Sequence, residues 1–274
     1  MATATCDLVE AFYRSGYLQL DGIVRASDVR RILNEFHDIL DRDHPCFGRD
    51  KYGSSNIVTA RPAEMAAAGL HYPALAAFLQ DPRLKSIILG YLSRFFTNPR
   101  DLDHYDINEQ IEVEHNDCVG DGNSGIWHFD RVPSVKCALF LVPTRREFGA
   151  LEVIPESHFA ARQHALHFLE RNPDPLFIDN HVEFQSQPEI KSLEVEAGTV
   201  VLFDTFVIHR GGNVTAHGER KVIRAVTWPP ALTRNYLGAT MASQSQPEDA
   251  AYRLFFPFDR SGQGISDPRH RFAG

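Results

Sequence analysis

The spacing of apolar residues changes from helical to alternating near residue 103. Upstream, Val29, Ile32, Leu33, Phe36, Ile39 and Leu40 recur at three- and four-residue steps, which puts them on one face of a helix. Ser27 stands where its hydroxyl would cap the first turn. The preceding "GYLQLDGIV" reads as a short strand. Asp81-Pro82 opens another helix, with Pro82 at the first helical position, where its missing N–H costs nothing. Leu84, Ile87, Ile88, Tyr91 and Phe95 give that helix its buried stripe. Between the two, "HPCFGRDKYGSSNIVTARP" reads as a polar, glycine-containing loop.

Downstream, in "HYDINEQIEVEH", Tyr105, Ile107, Ile111 and Val113 alternate with Asp106, Asn108, Gln110, Glu112 and Glu114, the pattern of a half-buried strand with a solvated polar face. "SVKCALFLV", "ALEVIP", "SLEVEAGTVVLFD", "FVIHR" and "RKVIRAVTW" are further strands, and "FAARQHALHFLER" is one interposed helix. Many strands after a helical start predict a mainly β fold with flanking helices, a sandwich or barrel with helices packed outside. No repeat or linker divides the chain, so a single domain over 1–274 is expected: helical over about 1–100, a β core over about 103–230 and a tail over 231–274.

Composition narrows the function. A net charge of -8 argues against a broad basic face for nucleic acid or anionic lipid. The start lacks the basic-then-apolar run of a signal peptide, and no apolar stretch is long enough to span a bilayer. Cys6, Cys46, Cys118 and Cys137 are scattered without a C-x-x-C, which fits reduced thiols in a cytoplasmic protein.

Three H-x-D triplets stand out: His104/Asp106, His115/Asp117 and His128/Asp130. On a strand, residues i and i+2 point the same way, so each would aim an imidazole and a carboxylate at one place. With 13 histidines in the chain, any one triplet taken alone is as readily coincidence. Two ligands hold a divalent metal weakly; a 2-His-1-carboxylate set holds it on one face and leaves positions open. His209 is the candidate third donor, at the end of the apolar run in "LFDTFVIHRGGN" where a strand opens into a glycine turn. His104/Asp106 begins a strand on its polar side, and His115/Asp117 runs into the flexible "CVGDGNSG".

The order "WHFD", "GALEVIPESH", "AGTVVLFDTFVIHRGGN", "ERKVIRAV" resembles the phytanoyl-CoA dioxygenase (PhyH) family of iron(II)- and 2-oxoglutarate-dependent oxygenases, and "FYRSGYLQLDGIVRASDVRRILNEF" is similar to that family's start. The resemblance spans roughly residues 10 to 228. It implies a double-stranded β-helix core, a cupin-like jelly roll braced by helices. It implies Fe(II) on His128, Asp130 and His209, with 2-oxoglutarate as cosubstrate and O2 as oxidant. It also implies that Arg220, eleven residues after His209, pairs with the distal carboxylate of 2-oxoglutarate, for which a guanidinium fork suits better than a lysine. Arg224 shares that strand face and is the alternative; Gln110 is the candidate cosubstrate contact from the Asn108–Glu112 strand.

Some positions depart from the family pattern. Gly211 stands where a small hydroxyl residue is common, and "PESH" replaces "PGSH", which matters little if Glu156 faces solvent. Asp130 argues against a halogenase, since such relatives carry Gly or Ala there. Trp127 and Phe129 read as core, and His158 and His217 as surface turns. The expected activity is oxidation, by default hydroxylation, of an unactivated C–H bond in a small metabolite or natural product. The expected lid and pocket segments are "PCFGRDKYGSSNIVTARP" with Arg49, Lys51 and Arg61, "CVGDGNSG" and the tail "AYRLFFPFDRSGQG". The competing readings are a non-oxidative cupin-like isomerase or hydrolase, and a catalytically silent binding protein on the same scaffold.

Overall fold

The computed structural model describes residues 2–52, 55–95, 106–117, 125–130, 134–169 and 180–228. His104 and the segments 118–124 and 231–274, with two of the expected lid segments, lie outside them. The elements in chain order are α1 (Ala2–Ser15), β1 (Tyr17–Leu20), α2 (Ala26–Asp41), β2 (Gly48–Tyr52), β3 (Ser55–Ala60), α3 (Pro62–Ala67), α4 (Pro73–Leu79) and α5 (Pro82–Leu92). There follow β4 (Asp106–Asn116), β5 (Val135–Phe140), β6 (Leu151–Val153), α6 (Ser157–Leu169), β7 (Lys191–Ser192), β8 (Val200–Asp204), β9 (His209–Gly211) and β10 (Arg220–Trp228).

Two antiparallel sheets face each other, one in the order β1-β8-β5-β10-β4-β3-β2 and the other β7-β6-β9. This is the expected mainly β architecture, a double-stranded β-helix with helices on one side. The large sheet is covered on both faces. Ile111 and Val113 of β4, Cys137 and Leu139 of β5, Leu202 of β8 and Ile223 of β10 pack under the helices with Phe12, Ile32, Phe36 and Ile88. Each fully buried Ile, Leu or Phe there contributes about 1.5–3 kcal/mol. The alternate positions, Ala138, Phe140, Val201, Phe203 and Val222, turn inward to meet Val153 of the small sheet and Leu193 just after β7.

Several expectations change. Ser27 does not cap α2: the helix begins at Ala26, Arg25 is its N-cap, and no side chain makes the capping bond. Asp81 does cap α5, accepting from Arg83 N at 2.8 Å. The "polar loop" over 44–62 holds the hairpin β2–β3, which extends the large sheet beyond β4, so strands from the first hundred residues join the core. Within it, Arg49 does not face a pocket but satisfies the end of α2, donating to Leu40 O at 2.6 Å and Arg42 O at 2.5 Å, where a cation suits the helix dipole. Lys51 is exposed, and Arg61 makes a surface pair with Glu64 at 3.6 Å.

The polar face of β4 is not solvated: Glu114 and Asn116 are buried beside the cavities inside the barrel, and Asn108 is buried against the end of α4, its Nδ2 donating to Leu79 O at 2.7 Å. Finally, His158 is fully buried at the start of α6, its Nε2 3.0 Å from Tyr13 O, whereas His217 does lie in an exposed bend. Among the described residues no helix is long and apolar enough to cross a membrane.

Candidate metal centre

His128 and His209 face each other as backbone partners between the sheets. His128 N donates to His209 O at 3.0 Å, and His209 N donates back to His128 O at 2.8 Å. This exchange sets residues 126–130 in an extended run without a regular strand. His128 and Asp130 therefore share a side, while Phe129 turns into the core against Phe206. Asp130 is fixed a second time by its own N–H, 2.7 Å from Thr205 O.

The turn carrying Thr205 is anchored from below. Asp204 is buried and accepts from Tyr91 Oη, from Arg162 Nη2, and from Phe206 N at 2.7 Å. Arg210, after the second histidine, donates to Glu152 at 2.8 Å and lies 4.4 Å from the Trp127 ring, tying β9 to β6 and to the HFD segment. Trp127 packs edge-on against Phe184, a structural role as expected.

The side chains of His128, Asp130 and His209 converge. One ligand atom from each lies within 4.8 Å of the others. Asp130 Oδ1 is 3.7 Å from His128 Nε2 and 3.9 Å from His209 Nε2. In both histidines Nδ1 sits against the carbonyl two residues back, Ile126 O at 2.7 Å and Val207 O at 2.8 Å. A carbonyl only accepts, so Nδ1 carries the proton and the Nε2 lone pair points at the carboxylate. That is the tautomer a metal needs, fixed by the backbone.

Electrostatics agree with that state. Burial lowers the His209 pKa to about 4, against a partial opposing pull from Asp130, so its imidazole is neutral. Burial pushes Asp130 up, but Lys136 and then His209 outweigh it and hold the carboxyl at about 2. The neutral imidazole of His209 and the ionised carboxylate of Asp130 are forms that bind a divalent cation. The donor set fits Fe(II).

Two adjoining cavities open from this point. One of about 390 Å³ is lined by His128, His209, Lys136, Glu112, Phe203 and Arg224 among others. The other, about 450 Å³, is lined by His128, Asn116, Asn180, His181 and Gly212. Gly211, Glu114, Arg220 and Arg224 border both. Arg220 donates to Glu114 Oε1 at 2.6 Å and to Gly149 O, and the rest of its guanidinium is uncommitted to any carboxylate. Arg224 donates through Nε to Glu112 at 2.8 Å and through Nη1 to Glu114 Oε2 at 2.6 Å, so it is paired with two carboxylates. Burial opposes the charges of Glu112, Glu114 and Arg224, but nearby opposite charges prevail: Lys136 and then Arg224 lower the Glu112 pKa, Arg224 and then Arg220 lower that of Glu114, and the two carboxylates raise that of Arg224.

Gln110 is half-buried on the same side of β4 but is not among the residues lining either cavity. His115 points to the opposite side of β4 from Glu114, with Nε2 3.8 Å from Glu219. The sequence reading missed Lys136, Glu112 and Glu114 as cavity groups. A lone lysine inside the apolar run 135–140 was the available signal for the first. Asn180 and His181 reach the site on a loop, and no spacing announces them.

Residues 121–222 match the family model described as phytanoyl-CoA dioxygenase (PhyH). No curated protein sequence matches the chain. Among solved structures, the chain resembles the non-heme alpha ketoglutarate dependent epimerase SnoN from nogalamycin biosynthesis, with a TM-score of 0.57, 15% identity and 98% of each chain covered. It also resembles HygX from Streptomyces hygroscopicus, solved with nickel, 2-oxoglutarate and hygromycin B, with a TM-score of 0.53, 16% identity, and 81% of this chain and 86% of that one covered. EctD from S. alaskensis gives a TM-score of 0.53 at 19% identity, covering 80% of this chain and 75% of the other. At these identities the likeness is one of fold. The segment that carries both histidines and Asp130 is thus the one that matches the phytanoyl-CoA dioxygenase (PhyH) family model, on a fold similar to that of 2-oxoglutarate-dependent enzymes.

Proposed function

We propose that the chain is a single-domain Fe(II)- and 2-oxoglutarate-dependent dioxygenase that hydroxylates an unactivated C–H bond of a small organic molecule. The observation that carries this is the pair of histidines whose Nδ1 protons are spent on backbone carbonyls, leaving both Nε2 lone pairs beside Asp130 Oδ1. When bound, iron(II) with 2-oxoglutarate and dioxygen supplies the oxidising chemistry, and the cosubstrate leaves as succinate and carbon dioxide.

The protein supplies position and dryness. His128, Asp130 and His209 hold the metal on one side, leaving the cavity side for cosubstrate, dioxygen and substrate. Arg220 is the partner for the distal carboxylate of 2-oxoglutarate, because it borders the cavity and is committed to one carboxylate where Arg224 is committed to two. Phe140, Phe203 and Val222 form an apolar floor that limits water around the reacting centre. The larger cavity, with Asn116, Asn180 and His181, receives the substrate. Cys6, Cys46 and Cys137 are free thiols, in keeping with a cytoplasmic enzyme.

Anaerobic addition of Fe(II) and 2-oxoglutarate should produce a weak visible charge-transfer band, and admission of air should release succinate. No band and no succinate would favour a non-oxidative metalloenzyme. A second reading concerns the product: SnoN is an epimerase and SnoK a carbocyclase on this fold. Hydroxylation adds one oxygen to the product mass, whereas epimerisation leaves the mass unchanged and oxidative ring closure lowers it by two hydrogens.

A further inference from the structure

Lys136 is the one charged residue in β5, between buried Val135 and Cys137. Its side chain turns to the inner side of the large sheet, and Nζ lies 2.9 Å from Asp130 Oδ2. The other oxygen of that carboxylate, Oδ1, is the one that faces both imidazoles, at 3.7 and 3.9 Å. The two oxygens are therefore divided between an ammonium and the metal position.

We propose that Lys136 is a positioning residue that occupies Asp130 Oδ2 and so restricts Asp130 to a one-oxygen ligand. The proposal rests on the metal site put forward above. Two-oxygen chelation by Asp130 would consume a coordination position that cosubstrate and dioxygen require. A carboxylate held only through its backbone is free to rotate about its own bonds; one oxygen engaged by Lys136 removes that freedom. The main chain of Asp130 is already pinned to Thr205 O, so Lys136 completes the restraint at the far end of the side chain.

The restraint and the charge of Lys136 act in opposite directions on metal affinity, which makes the test sharp. An ammonium next to a divalent ion repels it, so its charge alone predicts tighter binding when it is removed. The restraint predicts weaker binding, on the order of 10-fold to 100-fold, as for loss of other groups that orient a ligand. Co(II) is titrated into the full-length apo-protein under argon and followed by its d–d absorption, for wild type, Lys136→Met and Lys136→Gln. The expected result is weakened Co(II) binding and an altered band shape in Lys136→Met, with Lys136→Gln nearer wild type because its amide still donates to Oδ2.

Unchanged or tighter Co(II) binding by a folded Lys136→Met would overturn the proposal. So would unchanged Co(II) binding with weakened 2-oxoglutarate binding, which would make Lys136 a cosubstrate contact. If Lys136→Met does not fold, the Co(II)-bound crystal structure of the wild type decides: Asp130 bound through Oδ1 alone, with Oδ2 on Lys136 Nζ, supports the restraint, and two-oxygen chelation by Asp130 overturns it. Failure of the wild type to bind Co(II) would instead sink the metal site itself.

Discussion

Glu114 holds Arg220 across the β4–β10 pair, its Oε1 accepting from Nη2 at 2.6 Å, while its Oε2 accepts from Arg224 at 2.6 Å. One carboxylate thus serves two guanidinium groups, and Ser55 Oγ adds a third bond at 2.9 Å. Glu114 is almost fully buried, so the arrangement keeps both arginines extended along the cavity wall before any cosubstrate arrives. It also makes the two arginines unequal, since Arg220 is paired with one carboxylate and Arg224 with two.

That inequality gives a prediction. Arg220→Gln should raise the 2-oxoglutarate dissociation constant by about 10–100-fold, the worth of one charge-assisted hydrogen bond, with Co(II) affinity unchanged. Arg220→Lys should recover only part, because an ammonium cannot form the paired contact. Arg224→Gln should act mainly on stability, lowering it by about 3–5 kcal/mol, since it strips partners from Glu112 and Glu114 together. Anaerobic titration and urea unfolding separate the two. A larger loss of 2-oxoglutarate affinity in Arg224→Gln than in Arg220→Gln would reverse the assignment.

The choice of triplet is tested by two histidines only thirteen positions apart. His128→Ala should remove stoichiometric Co(II) binding, since one of three donors is lost. His115→Ala should leave it untouched, because His115 lies on the other side of β4, beside Glu219. Metal loss in His115→Ala with retention in His128→Ala would show that the site had been misplaced.

The sequence made the triplet and His209 legible because a two-residue step fixes which side chains share a side, and an apolar run ending in histidine marks an edge. The alternation in β4 was equally visible, yet it says only that two faces differ, not what covers each. Glu112 and Glu114 are interior because β6 and β9, far along the chain, close over them. His158 follows the "PES" turn and looked exposed for that reason. Its burial comes from the end of α1, where Gly16 leaves room: a Cβ there would stand 2.6 Å from the imidazole Nδ1. The hairpin over 48–60 escaped because its glycine and polar residues suit a loop as well as an edge strand, and pairing with β4 decides.

Glu156 offers a stabilising change. It has φ 66°, in the left-handed region, at the position where the resembling family carries glycine. Its side chain is exposed, as the sequence reading assumed, but its backbone carries the cost. A non-glycine residue there is strained by about 1–2 kcal/mol, of which the greater unfolded-state freedom of glycine takes back about 0.4–1 kcal/mol. Glu156→Gly should therefore raise stability by about 0.5–1 kcal/mol, a melting increase of roughly 1–4 °C for a chain of this size. A fall in melting temperature would mean that the Glu156 side chain contributes more than its backbone costs.

His158 predicts how the fold responds to acid. Burial is the main cause that lowers its pKa to about 4; Asp204 opposes this and Arg162 adds to it. Its Nε2 proton goes to Tyr13 O, and Nδ1 is buried without a partner, so a second proton would bring an unsolvated charge. In the unfolded chain the same imidazole takes a proton near pH 6.5. Between about pH 6.5 and pH 4 the unfolded state therefore binds more protons, and stability falls as pH falls through that window, then levels off below it. The full loss from this residue is on the order of 3 kcal/mol. His158→Gln should be less stable than wild type at pH 7, where the packed imidazole is missing, and the gap should close towards pH 4.5. His209 titrates in the same direction in the metal-free protein, so the difference between the two proteins, not either curve alone, is the measure. Urea unfolding of both in EDTA across that range decides it: parallel stability curves would mean that His158 is not the acid-sensitive group.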